Sequence, residues 1–251
     1  MKVIVNGLAV EYQDDGNGPI MLLLHGWQDN LHTFDIIVHE LAMTYRVIRI
    51  DLPGFGQSEF PKSTWQLSDY INFVKVFIEK LSIKVDVLIG YSFGGRIVIK
   101  GVAENVFNPK KIILIASAGI SNSKSTRRLF YKFAAKIGKF LTYTTPLYFY
   151  RNGLKKILYD KADSDYMNSG ALGGTYLKII SEDLSKYASQ IRVPCLLIWG
   201  RDDSTTPLAD GDKFSKLIKN SRIKIFDNAG HFVHQERAGE VIMEIKEFCA
   251  K

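Results

Sequence analysis

The chain is poor in the residues that would make it a disulfide scaffold or a metal cluster, and it lacks the long apolar run of a membrane span. It has two cysteines, Cys195 and Cys249, and five histidines. Both cysteines sit in apolar, strand-like or helix-like contexts, so they read as buried free thiols, neither a disulfide framework nor a metal site. A reducing cytoplasm is the compartment that fits them. No apolar run approaches the roughly 18 residues needed to cross a bilayer. Lys2 to Val5 already alternate like a strand, so no signal peptide is expected. Acidic residues are outnumbered by basic ones, 26 to 33, a formal net charge of +7. The imbalance is local: residues 121–192 hold thirteen Lys and Arg against five Asp and Glu, and the remainder is near neutral. Such a segment suits anionic substrates, a membrane surface or nucleic acid, but it also serves simply to solvate a helical insertion. Solvation is the expectation here. No nucleic-acid-binding module is recognisable, and nucleic acid is not an expected partner.

With 251 residues, 46% of them apolar, the chain can build a full core. Lys2–Val5 and Leu8–Tyr12 alternate in polarity and are joined by Asn6-Gly7, a pair suited to a type I′ hairpin. Six short runs rich in Val and Ile follow: Ile20–Leu24, Val47–Ile50, Val85–Ile89, Lys111–Ala116, Cys195–Trp199 and Arg222–Phe226. They read as strands buried on both faces. Helical periods lie between them, most clearly the stripe of Tyr70, Phe73, Val74, Phe77, Ile78 and Leu81. This alternation predicts an α/β fold, a mostly parallel twisted sheet with helices on both faces. Gly119 to about Ile191 breaks the rhythm. The expected organisation is therefore a core of residues 1–118 and 193–251, with residues 119–192 inserted as a helical cap.

The strand Val85–Ile89 runs into Gly90-Tyr91-Ser92-Phe93-Gly94-Gly95, and a helical pattern with Ile97, Val98 and Val102 follows. A serine in a sharp strand-to-helix turn projects its hydroxyl at the carboxyl edge of the sheet, beside a helix N-terminus that favours developing negative charge. Glycines two residues to either side let neighbouring backbone come close. The pentapeptide alone is a common accident; its strand and helix make it a candidate nucleophile.

From here the chain resembles the α/β-hydrolase superfamily over nearly its whole length, in its serine-nucleophile, capped branch. His25-Gly26-Trp27 looks like the family's oxyanion-loop motif, and Asp51-Leu52-Pro53-Gly54-Phe55-Gly56-Gln57-Ser58 like its Asp-x-x-Gly-x-Gly-x-Ser loop. The resemblance implies an acid after a late strand with a proline four residues on. That selects Asp203, ahead of Pro207, with Asp202 as the alternative. It also implies that the base is His231 in Asn228-Ala229-Gly230-His231-Phe232, with His234 as its rival. The backbone N–H groups of Trp27 and Phe93 would hold the oxyanion. His25, Gly26, Tyr91, Arg96 and Phe232 are the remaining candidates at the substrate, although His25 also reads as a structural residue orienting the oxyanion loop. His32 and His39 read as ordinary residues of a helical stretch.

Fold and triad do not settle the substrate. A serine disfavours the dehalogenase and epoxide-hydrolase chemistries, which use an aspartate nucleophile in relatives. Phe232 stands where relatives that hydrolyse carbon–carbon bonds often carry tryptophan. Gly-Tyr-Ser-Phe-Gly-Gly-Arg, ending at Arg96, also resembles a menaquinone-pathway synthase that eliminates pyruvate. The basic Arg127, Arg128 and Arg151 are compatible with such a carboxylated substrate. The expected activity is nevertheless hydrolysis of a carboxylic ester of a small, largely apolar molecule, without metal or organic cofactor. The alternatives are carbon–carbon or lyase chemistry and a non-catalytic ligand-binding role. Phe130, Tyr131, Phe133, Phe140, Tyr143, Tyr148, Phe149 and Tyr150 would line an acyl pocket, pack the cap, or form a surface touching anionic membrane. Gly138, Gly153, Gly170, Gly173 and Gly174 read as breaks between cap helices. The chain is expected as a monomer or homodimer.

Overall fold

The computed structural model describes residues 1–120 and 170–250. The cap residues from Arg127 to Leu158 named above, with Gly138 and Gly153, lie outside the described residues. The strands are β1 (Lys2–Val5), β2 (Leu8–Asp15), β3 (Ile20–Leu24), β4 (Arg46–Ile50), β5 (Val87–Tyr91), β6 (Lys111–Ile115), β7 (Cys195–Gly200) and β8 (Ser221–Phe226). They form one sheet in the order β1-β2-β4-β3-β5-β6-β7-β8. Asn6 and Gly7 join β1 to β2 at φ 50° and 76°, the left-handed pair that a tight hairpin needs. β2 also pairs antiparallel with β4, and every later pairing is parallel.

Several strand boundaries differ from expectation, those of β2, β5 and β6 for identifiable physical reasons. β2 runs past Tyr12 to Asp15 because Tyr12–Asp15 pair with Val47–Ile50. β6 stops at Ile115, because Ala116 turns out of the ladder at φ 44°. β5 starts and ends two residues later than expected. Asp86 is its foot, where the carboxylate accepts the Ile20 N–H at 2.9 Å and the carbonyl accepts from Lys110 and Lys111. At the other end Gly90 and Tyr91 stay in register with Leu114 and Ile115. Gly90 is therefore a strand residue and not the first residue of the turn. It must be glycine because a Cβ there would lie 2.6 Å from the Gly94 backbone.

The helices of the first half are α1 (Asp35–Leu41), α2 (Leu67–Lys80) and α3 (Phe93–Ala103). Those of the second are α4 (Gly173–Ser181), α5 (Ser185–Ala188), α6 (Leu208–Leu217), α7 (Val233–Glu236) and α8 (Ala238–Ala250). α2 begins at a reciprocal cap between Gln66 and Asp69 and buries Leu67, Tyr70, Ile71, Phe73, Val74 and Phe77. Its buried stripe includes Leu67 and Ile71, while Ile78 and Leu81 are half-buried. α2 packs on α3, α3 on α5 and α5 on α6, whereas α1 packs on α8 and α7. Met21, Leu23, Ile89, Ile113, Ile115, Leu196 and Ile198 share a core with Phe34, Ile37, Leu41, Val241 and Ile245. The alternate residues Leu22, Leu24, Leu88, Ile112, Leu114 and Leu197 are equally buried and point to the opposite face. Burial on both faces accounts for the continuous apolar runs of the parallel strands.

Two compact units are present: residues 1–120 with 183–251, and residues 121–182. Of the expected insertion 119–192, residues 119–120 and 183–192 lie in the first unit. Leu184, Ala188 and Ile191 are buried and α5 packs on α3. The Leu184 N–H donates to the Gly119 carbonyl at 2.8 Å, so the chain leaves and re-enters this unit at one place. Cys195 is buried and Cys249 half-buried, both free. Among the described residues, no helix is long and apolar enough to cross a membrane.

Candidate active site

Ser92 stands between β5 and α3 at φ 49°, ψ −107°. A side chain in this region costs about 1–3 kcal/mol, so the surroundings must impose it. They do so from three sides. The Ser92 N–H donates to Ile115 O at 3.0 Å, and its carbonyl accepts from Gly95 and Ala118, both at 3.1 Å. The first turn of α3 is pressed onto the exit of β3: Gly94 N–H donates to His25 O, and a Cβ on Gly94 would lie 2.0 Å from Leu24 O. The hydroxyl is thereby carried to the carboxyl edge of the sheet.

His231 follows β8 on a short loop. Its Nε2 lies 3.1 Å from Ser92 Oγ and its Nδ1 lies 2.8 Å from Asp203 Oδ2. A carboxylate can only accept, so the proton sits on Nδ1 and Nε2 faces the serine as an acceptor. The loop is braced from behind, where Gly230 N–H donates to Glu236 Oε2 at 2.6 Å. Asp203 is buried after β7. Its Oδ1 accepts the N–H groups of Thr205 and Thr206, each at 2.8 Å, and its Oδ2 lies 2.8 Å from the Thr206 hydroxyl. Asp202 is exposed, its N–H donating to Ala229 O. Of the adjacent pair, Asp203 faces the histidine.

His234 is not beside Ser92. It is fully buried, with its ring 4.5 Å from the Tyr91 ring and Nε2 3.3 Å from Thr33 Oγ1. Burial holds its pKa down at about 4, so it stays neutral. His25 is also fully buried. Leu52 N–H donates to its Nε2 at 2.9 Å, which leaves Nδ1 protonated and donating to Gly26 O at 2.7 Å. Burial lowers its pKa too. Both ring nitrogens are committed to backbone, so His25 ties the loop after β3 to the loop after β4. That second loop closes on Asp51, whose carboxylate accepts from Leu31 and Gln57 and whose carbonyl accepts the Ser58 hydroxyl, each at 2.7 Å.

The remaining candidates surround the serine. Phe93 is the first residue of α3, and its N–H has no partner inside the helix. Trp27 is half-buried, its ring edge-on to Phe55 and Phe93 at 4.9 and 5.3 Å. Gly26 lies against the Tyr91 ring. Tyr91 is buried, 5.2 Å from the His231 ring and 5.9 Å from that of Phe232. Phe232 is 46% exposed, and Arg96 is buried on α3. Among the described residues no cluster of His, Cys, Asp and Glu could hold a metal ion. His32 and His39 lie in the turn before α1 and in α1, His32 paired with Asp35. Sequence reasoning missed Thr206 and Glu236. A hydroxyl before a proline and a carboxylate on a surface helix carry no motif, and only the loops' folding brings them in.

Residues 21–244 match the model of the alpha/beta hydrolase family. The AB hydrolase superfamily protein YisY of Bacillus subtilis is 27% identical, over 94% of this chain and 93% of its own. Pimeloyl-[acyl-carrier protein] methyl ester esterase of Nitrosomonas europaea is 25% identical, over 89% of this chain and 92% of its own. Among solved structures, the enol-lactonase of Burkholderia xenovorans LB400 superposes with a TM-score of 0.77 at 22% identity, with each chain covered in full.

Proposed function

The chain belongs to the α/β-hydrolase family, and from that premise we propose that it is a serine hydrolase acting on a carboxylic ester of a small, largely apolar substrate. The observation that carries the reading is the continuous hydrogen-bond line from Ser92 Oγ through His231 to Asp203 Oδ2, at 3.1 and 2.8 Å.

His231 Nε2 takes the Ser92 proton as the oxygen attacks the ester carbonyl. Asp203 holds the Nδ1–H tautomer and stabilises the imidazolium that forms. The N–H groups of Phe93 and Trp27 receive the oxyanion, each worth about 3–4 kcal/mol in the transition state. His231 then returns its proton to the departing alkoxide, leaving an acyl-enzyme and an alcohol. Water, deprotonated by His231, releases the acid and restores Ser92. No step calls on a metal or an organic cofactor.

The methyl ester esterase among the relatives supports an ester as substrate. The inserted segment, residues 121–182, is assigned the choice of acyl group, and the two free thiols suit a reducing cytoplasm. The test is turnover of p-nitrophenyl esters of increasing acyl length beside Ser92→Ala. The expected outcome is release that falls by at least about a thousandfold in the variant. Full turnover in Ser92→Ala, or activity confined to a carboxylated carbon–carbon or lyase substrate, overturns the reading.

A further inference from the structure

We propose that Thr206 is a positioning residue whose hydroxyl aims Asp203 at His231; the inference rests on the serine-hydrolase reading. Thr206 is 5% exposed. Its Oγ1 lies 2.8 Å from Asp203 Oδ2, 3.0 Å from Ala116 O and 3.2 Å from His231 Nδ1. One hydroxyl proton cannot serve two acceptors at once. An ionised carboxylate is the stronger acceptor and draws it. Asp203 then accepts four hydrogen bonds, two backbone N–H groups at Oδ1 and the hydroxyl with Nδ1–H at Oδ2. That set fixes the plane of the carboxylate as well as its position.

The residue that does the aiming is itself held. Its N–H is on Asp203 Oδ1, and its carbonyl accepts the indole N–H of the fully buried Trp199 at 2.8 Å. Its hydroxyl also touches Ala116 O, one residue beyond the Ile115 carbonyl that accepts the Ser92 N–H. The end of β6 is thus a common mount, with the nucleophile's backbone on one side and the acid's partner on the other.

This placement has a chemical consequence that packing alone does not. The donated proton spreads the charge of Oδ2. Without it the charge is concentrated opposite Nδ1, the imidazolium is favoured, and the base becomes competent only at higher pH. Among the described residues, the titratable and polar groups that face the His231 ring are Asp203 and Thr206 at Nδ1, Ser92 at Nε2 and Tyr91 at 5.2 Å, with His234 coupled to it electrostatically from α7. Changing Thr206 leaves the others in place.

The experiment follows modification of Ser92 by a fluorophosphonate, read by intact mass across pH, for the native chain, Thr206→Val and Thr206→Ser. Native protein is expected to label at Ser92. Thr206→Val keeps the shape and loses the donor. It is expected to label roughly ten to a hundredfold more slowly, with its acidic midpoint moved to higher pH. Thr206→Ser restores the hydroxyl and is expected within about threefold of native, with the native midpoint. If Thr206→Val fails to fold, Thr206→Ala is read in its place. A native rate and midpoint in the valine variant overturn the proposal, as does a slow serine variant with an unmoved midpoint. No labelling of folded native protein overturns the serine-hydrolase reading itself, and the proposal with it.

Discussion

Below about pH 6.5, the ordinary value for a histidine, the unfolded chain takes up a proton at residue 234 that the folded chain refuses until about pH 4. The fold therefore loses stability as pH falls through that window, by about 3 kcal/mol at its foot. His25, lowered by burial and held neutral by the Leu52 N–H, adds to the loss in the same direction. His234→Gln is expected to flatten the acid side of a pH series of urea unfolding curves, and an unchanged slope would place the dependence elsewhere. The triad candidates Ser92, Asp203 and His231 were legible because each stands beside a signal in the chain: two glycines, a proline at fixed offset, a glycine before the histidine. Thr206 and the Leu52 N–H were not legible. Thr206 bonds Asp203 three residues back, but its hydroxyl also reaches Ala116, 90 residues away, and the Leu52 N–H reaches His25, 27 away. A hydroxyl or an amide has no periodicity to betray such a contact.

Elements come together here through backbone contact where side chains would leave a gap. Gly94 has no room for a methyl group against Leu24 O, while Gly239, in the first turn of α8, has nothing within 4 Å of where one would go. Gly94→Ala is expected to cost more than about 3 kcal/mol or abolish folding. Gly239→Ala is expected to gain about 0.5 kcal/mol, both read by thermal unfolding. The far end of α8 is closed by Lys111, whose ammonium donates to the carbonyls of Phe248 and Cys249 at 3.0 and 2.9 Å. Lys111→Met should cost about 1 kcal/mol in the same measurement, and no change would reduce the contact to a surface accident. Strand existence and type were readable from the Val- and Ile-rich runs. The frame of β5 was not, because a glycine in the sequence reads as a turn, and only the approach of α3 makes Gly90 a strand residue.

Over the whole molecule, the sheet and the candidate site lie in the unit formed by residues 1–120 and 183–251. The surplus positive charge lies chiefly in the stretch between. Replacing residues 121–182 by a short Gly-Ser linker is expected to leave one cooperative unfolding transition by circular dichroism and fluorophosphonate labelling of Ser92. The preference among acyl chain lengths is expected to change. Loss of the folded state would show instead that the sheet unit depends on the segment.

The Leu184–Gly119 hydrogen bond gives this arrangement a longer reach. It works like the chuck of a drill. A segment put in place of residues 121–182 is expected to start and finish at these same two backbone atoms. The tie sits between β6 and β7, so a change in the length of the stretch between its two atoms need not reach either strand.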